Sequence, residues 1–348
     1  MKNFLKNTTL LIFALIIAAG LAEAISRVVY PIQYGHKFFD AEGHRIFPAA
    51  GPNGLKPSLS YRQISQEFNK PTTHTDRGFR GPAGGFMDPE QPDLVFIGDS
   101  MTYGIGLADE ETIPYLYCQR LKLHCVNLGR PGASTFDEVS RLSKYLMEYN
   151  WRPKKVSMIM NAMTAAQFGG NDFTDNAQHQ QMPRPPSGQP KAQKPKLAKN
   201  ASSFLKRLID YRKDLLEHSN LARVSYYILA PMLREKLNPD LSQEEFTQSM
   251  NATQKALQKL DDLARAYGFE YTIYIVHPMQ DLTRGTYQKT VEDIQSIAPR
   301  KNVIGTGSAL LDTGNPVDYY YPLDGHVRPA AAQKIAAFMA GGKAVTSP

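Results

Sequence analysis

Cysteine is nearly missing from this chain: two among 348 residues, Cys118 and Cys125. Their spacing in YLYCQRLKLHCVN fits neither a zinc site nor a C-x-x-C redox pair. A strong excess of one charge is missing too. Forty basic against 33 acidic residues leave +7, and no compact basic helix with interleaved aromatics occurs, which sets nucleic-acid binding aside. His124, His179 and His277 stand apart with no H-E-x-x-H or similar spacing, so no metal is expected. Gly104-Ile105-Gly106 and Gly305-Thr306-Gly307 each begin a dinucleotide-like G-x-G without its third glycine. Nicotinamide binding is set aside on that ground, and no cofactor is expected. Internal repeats are also lacking.

Long apolar runs are absent apart from one. Lys2 and Lys6 precede LLIFALIIAAGLA (10–22), which is followed by Glu23, Ala24, Ile25 and Arg27. Ala22-Glu23-Ala24 is an A-x-A site behind an h-region of suitable length, the pattern of a cleaved signal peptide. Alternatively the helix runs on through Ile25, Val28 and Val29 as an uncleaved anchor with Glu23 at the interface. The anchor is preferred, because further apolar residues flank the short run. Both readings carry residues 31–348 across the membrane, since the positive charge lies on the N-terminal side. An exported compartment permits a Cys118–Cys125 disulfide; two buried thiols are the alternative.

With 42% hydrophobic and 21% charged residues, the chain can bury a sizeable core. Residues 31–90, rich in Pro, Gly and polar residues, read as an extended lead-in over the domain, with GFRGPAGG as turns. From residue 91 to about 345 the pattern alternates. Strands are expected at LVFIG (94–98), CVNLG (125–129), VSMIM (156–160) and YTIYIV (271–276). Helices are expected over 112–123, 136–149, 204–218, 244–267 and 330–340, the last opened by Pro329. This alternation predicts an α/β fold, a doubly wound parallel sheet flanked by helices. Residues 178–200 carry five basic residues, five prolines and no acid, and read as a surface insertion.

Ser100 follows the first strand in VFIGDSMTYG, at the edge where open α/β sheets place ligands. A serine there is more often a cap or turn residue, and G-x-S-x-T lacks the second glycine of the α/β-hydrolase elbow. Near the other end, YYYPLDGHVRP puts Asp324 and His326 two apart, on one side of an extended segment. A carboxylate orienting an imidazole is what a general base beside a serine needs. Between these points Gly129 lies in NLGRPGAS and Asn171 in QFGGNDF, where a backbone amide and a carboxamide could converge on an oxyanion. Taken singly, each of these stretches reads as a turn. A parallel sheet would gather all of them along one edge.

GDSMTYG, VNLGRPGAS, FGGNDF and YPLDGHVRP, in that order, resemble the four blocks of the SGNH, or GDSL-type, hydrolases over roughly residues 91–340. The GDS neighbourhood and Arg77-Gly78-Phe79-Arg80 are similar to the membrane-tethered bacterial branch. The resemblance implies a flavodoxin-like three-layer sandwich. It makes Ser100 the nucleophile, His326 the base and Asp324 its orienting acid, with oxyanion donors from Ser100, Gly129 and Asn171. Two departures stand out. One residue, not two, separates acid from base, a form found in the tethered branch and in polysaccharide O-acetylating relatives. Asn171 lies eleven residues beyond VSMIM, which makes Asn161 a competing donor.

The expected activity is that of an exported serine esterase acting through an acyl-enzyme on small acyl esters, acetyl for preference, carried by an envelope glycan. No extended apolar lid is apparent, which disfavours long lipid chains. An O-acetyltransferase of the same site and a non-catalytic envelope-binding protein of the same fold are the alternatives. The expected partners are the acyl ester and the membrane.

Overall fold

The computed structural model describes residues 2–29, 37–48, 54–82, 84–161, 215, 216, 218–225, 243–311 and 315–341. It forms two compact units, residues 1–36 with 181–237, and residues 37–180 with 238–348. The basic stretch 178–200 and the first part of the helix expected at 204–218 lie outside the described residues.

In the first unit α1 (Lys2–Val29) contains an apolar span, Leu10–Val29, of mean hydropathy 2.0 with none of it buried. Near its end the Glu23 carboxylate accepts from Ser219 Oγ and from the backbone N–H groups of Asn220 and Leu221, each at 2.8 Å. Residues 220–225 are helical, so Glu23 satisfies N–H groups that the start of a helix leaves unpaired. Arg27 donates to the His218 carbonyl at 2.7 Å, and Asn220 Nδ2 to the Ser26 carbonyl at 2.8 Å.

The second unit opens with a difference from the sequence reading. The segment expected as an extended lead-in builds an antiparallel sheet of β1 (Lys37–Phe39), β2 (Ser60–Ile64) and β3 (Asn69–Thr73). Its strands are short and carry few apolar residues, which hides them from a periodicity search. The main sheet contains β4 (Leu94–Gly98), β5 (Cys125–Asn127), β6 (Lys155–Met160), β7 (Glu270–Ile275) and β8 (Val303–Gly305), all parallel, in the order β5-β4-β6-β7-β8. Renumbered within the sheet, this is the 2-1-3-4-5 order of flavodoxin-like folds, with its switch point between β4 and β6.

Alternation along each strand divides the core into two layers. Val95, Ile97, Val156, Met158, Ile273 and Ile275 face one cluster, with Leu142 and Leu146 of α4 (Thr135–Glu148) and Leu257 and Leu260 of α5 (Gln243–Tyr267). Leu94, Phe96, Ile159 and Tyr274 face the other, with Cys118 of α3 (Ile113–Leu121) and Ile335 of α9 (Pro329–Met339). Between β7 and α9 the chain adds α6 (Met279–Arg284), α7 (Tyr287–Ile297) and α8 (Ser308–Leu311). Helix starts follow local chemistry: the Ser134 hydroxyl accepts the Asp137 N–H at α4, Thr112 that of Tyr115 at α3, and Pro329 opens α9. Cys118 and Cys125 are joined as a disulfide, tying α3 to β5 with Cα atoms 6.4 Å apart.

Candidate active site

β4 ends at Gly98, where a Cβ would stand 1.9 Å from Thr102 Oγ1 and 2.4 Å from the Ile159 carbonyl. Only glycine lets the chain turn this tightly against the end of β6. One turn of helix follows, α2 (Ser100–Tyr103), with Asp99 as its cap. The Asp99 carboxylate takes the Met101 N–H at 2.8 Å and also engages that of Thr102. Ser100 stands at the first helical position, partly exposed, and among the described residues its N–H has no acceptor. The nucleophile candidate therefore carries a free backbone donor at the carboxyl edge of the sheet. Burial pushes the Asp99 carboxyl up to about 6, with the Met101 N–H and the charge of His326 acting in the opposite direction. His326 is thus within electrostatic reach of the residue preceding Ser100.

The loop after β5 lies on α2. A Cβ at Gly129 would meet Tyr103 N at 2.4 Å, so this position needs glycine for close approach. Its N–H, expected as an oxyanion donor, donates to Asn127 Oδ1 at 2.9 Å. The buried Asn127 also donates from Nδ2 to the Thr102 carbonyl at 2.9 Å, so one carboxamide fastens the loop to α2. Leu128 donates to Phe96, Arg130 to Gly98 and Ala133 to Arg130, while Pro131 has no N–H. Gly132, at φ 72° and exposed, keeps the one N–H of residues 128–133 with no acceptor among the described residues. Sequence reading missed both Asn127 and Gly132. A lone carboxamide inside an apolar strand was the signal for the first.

The segment after α8 folds back as a turn. Tyr321 N–H donates to the His326 carbonyl at 2.9 Å, and Gly325 N–H to the Tyr321 carbonyl at 2.7 Å. Gly325 takes φ 89°, a conformation that explains a glycine between acid and base. Asp324 Oδ1 and His326 Nδ1 are hydrogen-bonded. A carboxylate only accepts, so Nδ1 carries the proton, and in the neutral imidazole Nε2 is the acceptor. Two tyrosines pin the turn: Tyr321 donates to the Gly106 carbonyl at 2.9 Å, Tyr320 to that of His277 at 2.6 Å. No hydrogen bond joins Ser100 Oγ to His326 among the described residues. Such contacts are often long in unliganded enzymes and tighten with substrate.

Asn171 lies outside the described residues. Asn161, the competing donor, follows β6 directly, half-buried, with Oδ1 lacking a hydrogen-bond partner. His277 is 1% exposed, neither ring nitrogen has a partner, and burial holds it down to about 4: a neutral core histidine. Tyr103, the last residue of α2, is wholly buried, its hydroxyl bonded to Tyr61 and, at 2.7 Å, to His74 Nε2. It is core and not pocket lining. Arg80, the last residue of the G-F-R motif, is buried too. It donates to the carbonyls of Tyr103 at 3.1 Å and Leu107 at 3.0 Å and pairs with Asp109. The motif holds the far end of α2.

These features define an α/β protein of flavodoxin-like topology with a strand-end serine at the switch point and a histidine–carboxylate turn beside it. Residues 94–311, more than half of the chain, match the family model described as GDSL-like Lipase/Acylhydrolase. The chain belongs to this family and is an ester-hydrolysing enzyme. Among solved structures it is similar to a G-D-S-L family protein from Desulfitobacterium hafniense DCB-2, with 12% identity, 73% of this chain and 99% of that one covered, and a TM-score of 0.40. The lipase/acylhydrolase from Enterococcus faecalis gives 11% identity, 71% and 93% coverage, and a TM-score of 0.38. A catalytic mutant of Axe2, an acetylxylan esterase from Geobacillus stearothermophilus, gives 16%, 75% and 99%, and 0.36. A comparison with curated proteins finds no match.

Proposed function

We propose that this enzyme is an exported, membrane-tethered serine esterase that removes small acyl groups, acetyl for preference, from a cell-envelope glycan. His326 Nε2 takes the proton of Ser100 as its hydroxyl attacks the ester carbonyl, and Asp324 holds the imidazole and stabilises its charged form. The tetrahedral oxyanion rests on the N–H groups of Ser100 and Gly132 and on the carboxamide of Asn171. The alcohol departs with the proton from His326, and water resolves the acyl-enzyme by the same steps in reverse.

The observation that carries this reading is the Asp324–His326 hydrogen bond on a turn fastened to Gly106, six residues from Ser100. Export and tethering are supported by the apolar span Leu10–Val29 behind Lys2 and Lys6, and by a disulfide of the kind that persists in oxidising compartments. The small acyl group is supported by the absence of any extended apolar lid segment in the sequence. Fluorophosphonate labelling and p-nitrophenyl acetate turnover test the site. Wild type is expected to label and turn over while Ser100→Ala does neither; equal signals from both would overturn the assignment. Adding a sugar acceptor to an acetyl-ester panel separates hydrolysis from acyl transfer.

A further inference from the structure

The turn bearing Asp324 and His326 rests on a second carboxylate, supplied by a connection of the small antiparallel sheet. Glu67 lies in the four-residue connection between β2 and β3, 256 residues before Leu323 in the chain. That connection is locally set. Ser65 Oγ accepts the N–H groups of Glu67 at 3.0 Å and Phe68 at 3.2 Å, and Ser65 N–H donates to the Phe68 carbonyl at 2.9 Å. From it, Glu67 Oε2 accepts the Leu323 N–H at 3.0 Å and the Asp324 N–H at 2.8 Å. Beside this contact the Phe68 ring packs on Tyr321 with centroids 4.9 Å apart. The connection therefore grips the turn by an apolar contact at one end and a charge-assisted pair of hydrogen bonds at the other.

We infer that Glu67 is a positioning residue for the acid–base pair, fixing the backbone of Asp324 so that its carboxylate meets His326 Nδ1. The inference rests on the proposed roles of Asp324 and His326. Local bonds alone do not set the turn: Gly325 gives its backbone latitude, and the acid has one residue through which to reach the base. Both N–H groups before the glycine are held by a side chain from another sheet, so the orientation of Asp324 depends on it. Placing a second carboxylate beside Asp324 is electrostatically adverse. Burial raises the Glu67 carboxyl and Asp324 adds to that rise, while the two N–H bonds and the charge of Arg328 offset it. An arrangement with that cost needs a return, and the set geometry of the turn supplies one.

The experiment compares Glu67→Ala, Glu67→Gln and His326→Ala with wild type in full-length protein, using p-nitrophenyl acetate kinetics and thermal melting. A misplacement of about 1 Å can cost on the order of 10²-fold, so Glu67→Ala is expected to lower kcat by roughly 10- to 100-fold. KM is expected to stay near its original value, with the melting transition kept. Glu67→Gln retains an acceptor for both N–H groups and is expected to recover most of that loss. Full activity in Glu67→Ala, a loss explained by unfolding, or a Glu67→Gln variant as poor as Glu67→Ala would each overturn the inference. Activity surviving in His326→Ala would instead overturn the underlying site assignment.

Discussion

The Tyr321 hydroxyl donates to the Gly106 carbonyl at 2.9 Å, across 215 residues of chain. This bond connects the loop leaving the helix of Ser100 to the turn that bears Asp324 and His326. Both partners are buried, and the Tyr321 hydroxyl is pushed up to about 12, first by burial. Removing the hydroxyl leaves a buried carbonyl without a donor, at a cost of about 1–3 kcal/mol. Tyr321→Phe is expected to lower the melting temperature by a few degrees and to reduce kcat more than it changes KM. Melting curves and steady-state kinetics on one preparation check this; an unchanged kcat would mean that the pin does not govern the turn.

Asn127 makes a second prediction. Its carboxamide serves Gly129 N–H and the Thr102 carbonyl together, so Asn127→Ala orphans two backbone groups at once. At about 1–3 kcal/mol for each unsatisfied group, the variant is expected to lose stability measurably. The loop after β5 is also released from α2, and kcat is expected to fall further than stability alone requires. Asn127→Asp keeps the acceptor for Gly129 and loses the donor to Thr102. It should fall between the two, and chemical denaturation with parallel kinetics would show whether it does.

A third prediction separates the carboxamide candidates. Losing one oxyanion donor typically costs ~10²–10³ in kcat. Asn171→Ala is expected to show a loss of that size, and Asn161→Ala a change within about tenfold on the same scale. The reverse result would transfer the donor role to Asn161, whose Oδ1 has no partner at the end of β6.

How far the sequence carried the reading depends on the range of the interactions involved. LVFIG, VSMIM and YTIYI are apolar runs buried on both faces, and such runs declare parallel strands unaided. The Asp324–His326 pair was legible because two positions along one short turn suffice to make it. β8 was missed: three residues at an edge, with Ile304 39% exposed, leave no pattern to find. Gly129 drew attention as a loop glycine, yet its N–H is fixed by an Asn127 side chain whose direction no spacing rule gives. Glu67 and Tyr321 reach their partners across more than 200 residues, so only the packed fold puts them in the site.

Buried ionisable groups set the acid stability of the second unit. His74 and His277 are both held at about 4 by burial, against about 6.5 in an unfolded chain. Between those values the unfolded chain binds protons that the folded one refuses, so both histidines withdraw stability as pH falls. Asp99 acts the other way. Raised to about 6, it binds its proton more tightly when folded, giving stability that is present at low pH and lost as pH rises through about 6. Two histidines outweigh one aspartate, so the melting temperature is expected to fall between about pH 6.5 and 4. His277→Leu should flatten that fall. Asp99→Asn, which retains a capping oxygen, should raise stability above pH 6 and steepen the fall. A melting series across this range in the three proteins gives the slopes, and parallel slopes would refute the assignment.

The last prediction concerns the fate of α1. Cleavage after Ala24 would remove Glu23 and leave Ser219 Oγ and the N–H groups of Asn220 and Leu221 without their acceptor. Asn220 would keep its bond to the Ser26 carbonyl, so the loss falls on the cap itself. A lost N-cap costs about 0.5–2 kcal/mol, and a carboxylate near the C-terminal end of an apolar span is itself costly unless partnered. Each side of this contact therefore supplies what the other lacks, which favours retention of the helix. Intact mass spectrometry of protein extracted from membranes is expected to give a chain that still contains residues 1–24, and Glu23→Ala to destabilise the first unit while leaving turnover per molecule unchanged. A mature chain beginning at Ile25 would refute the anchor.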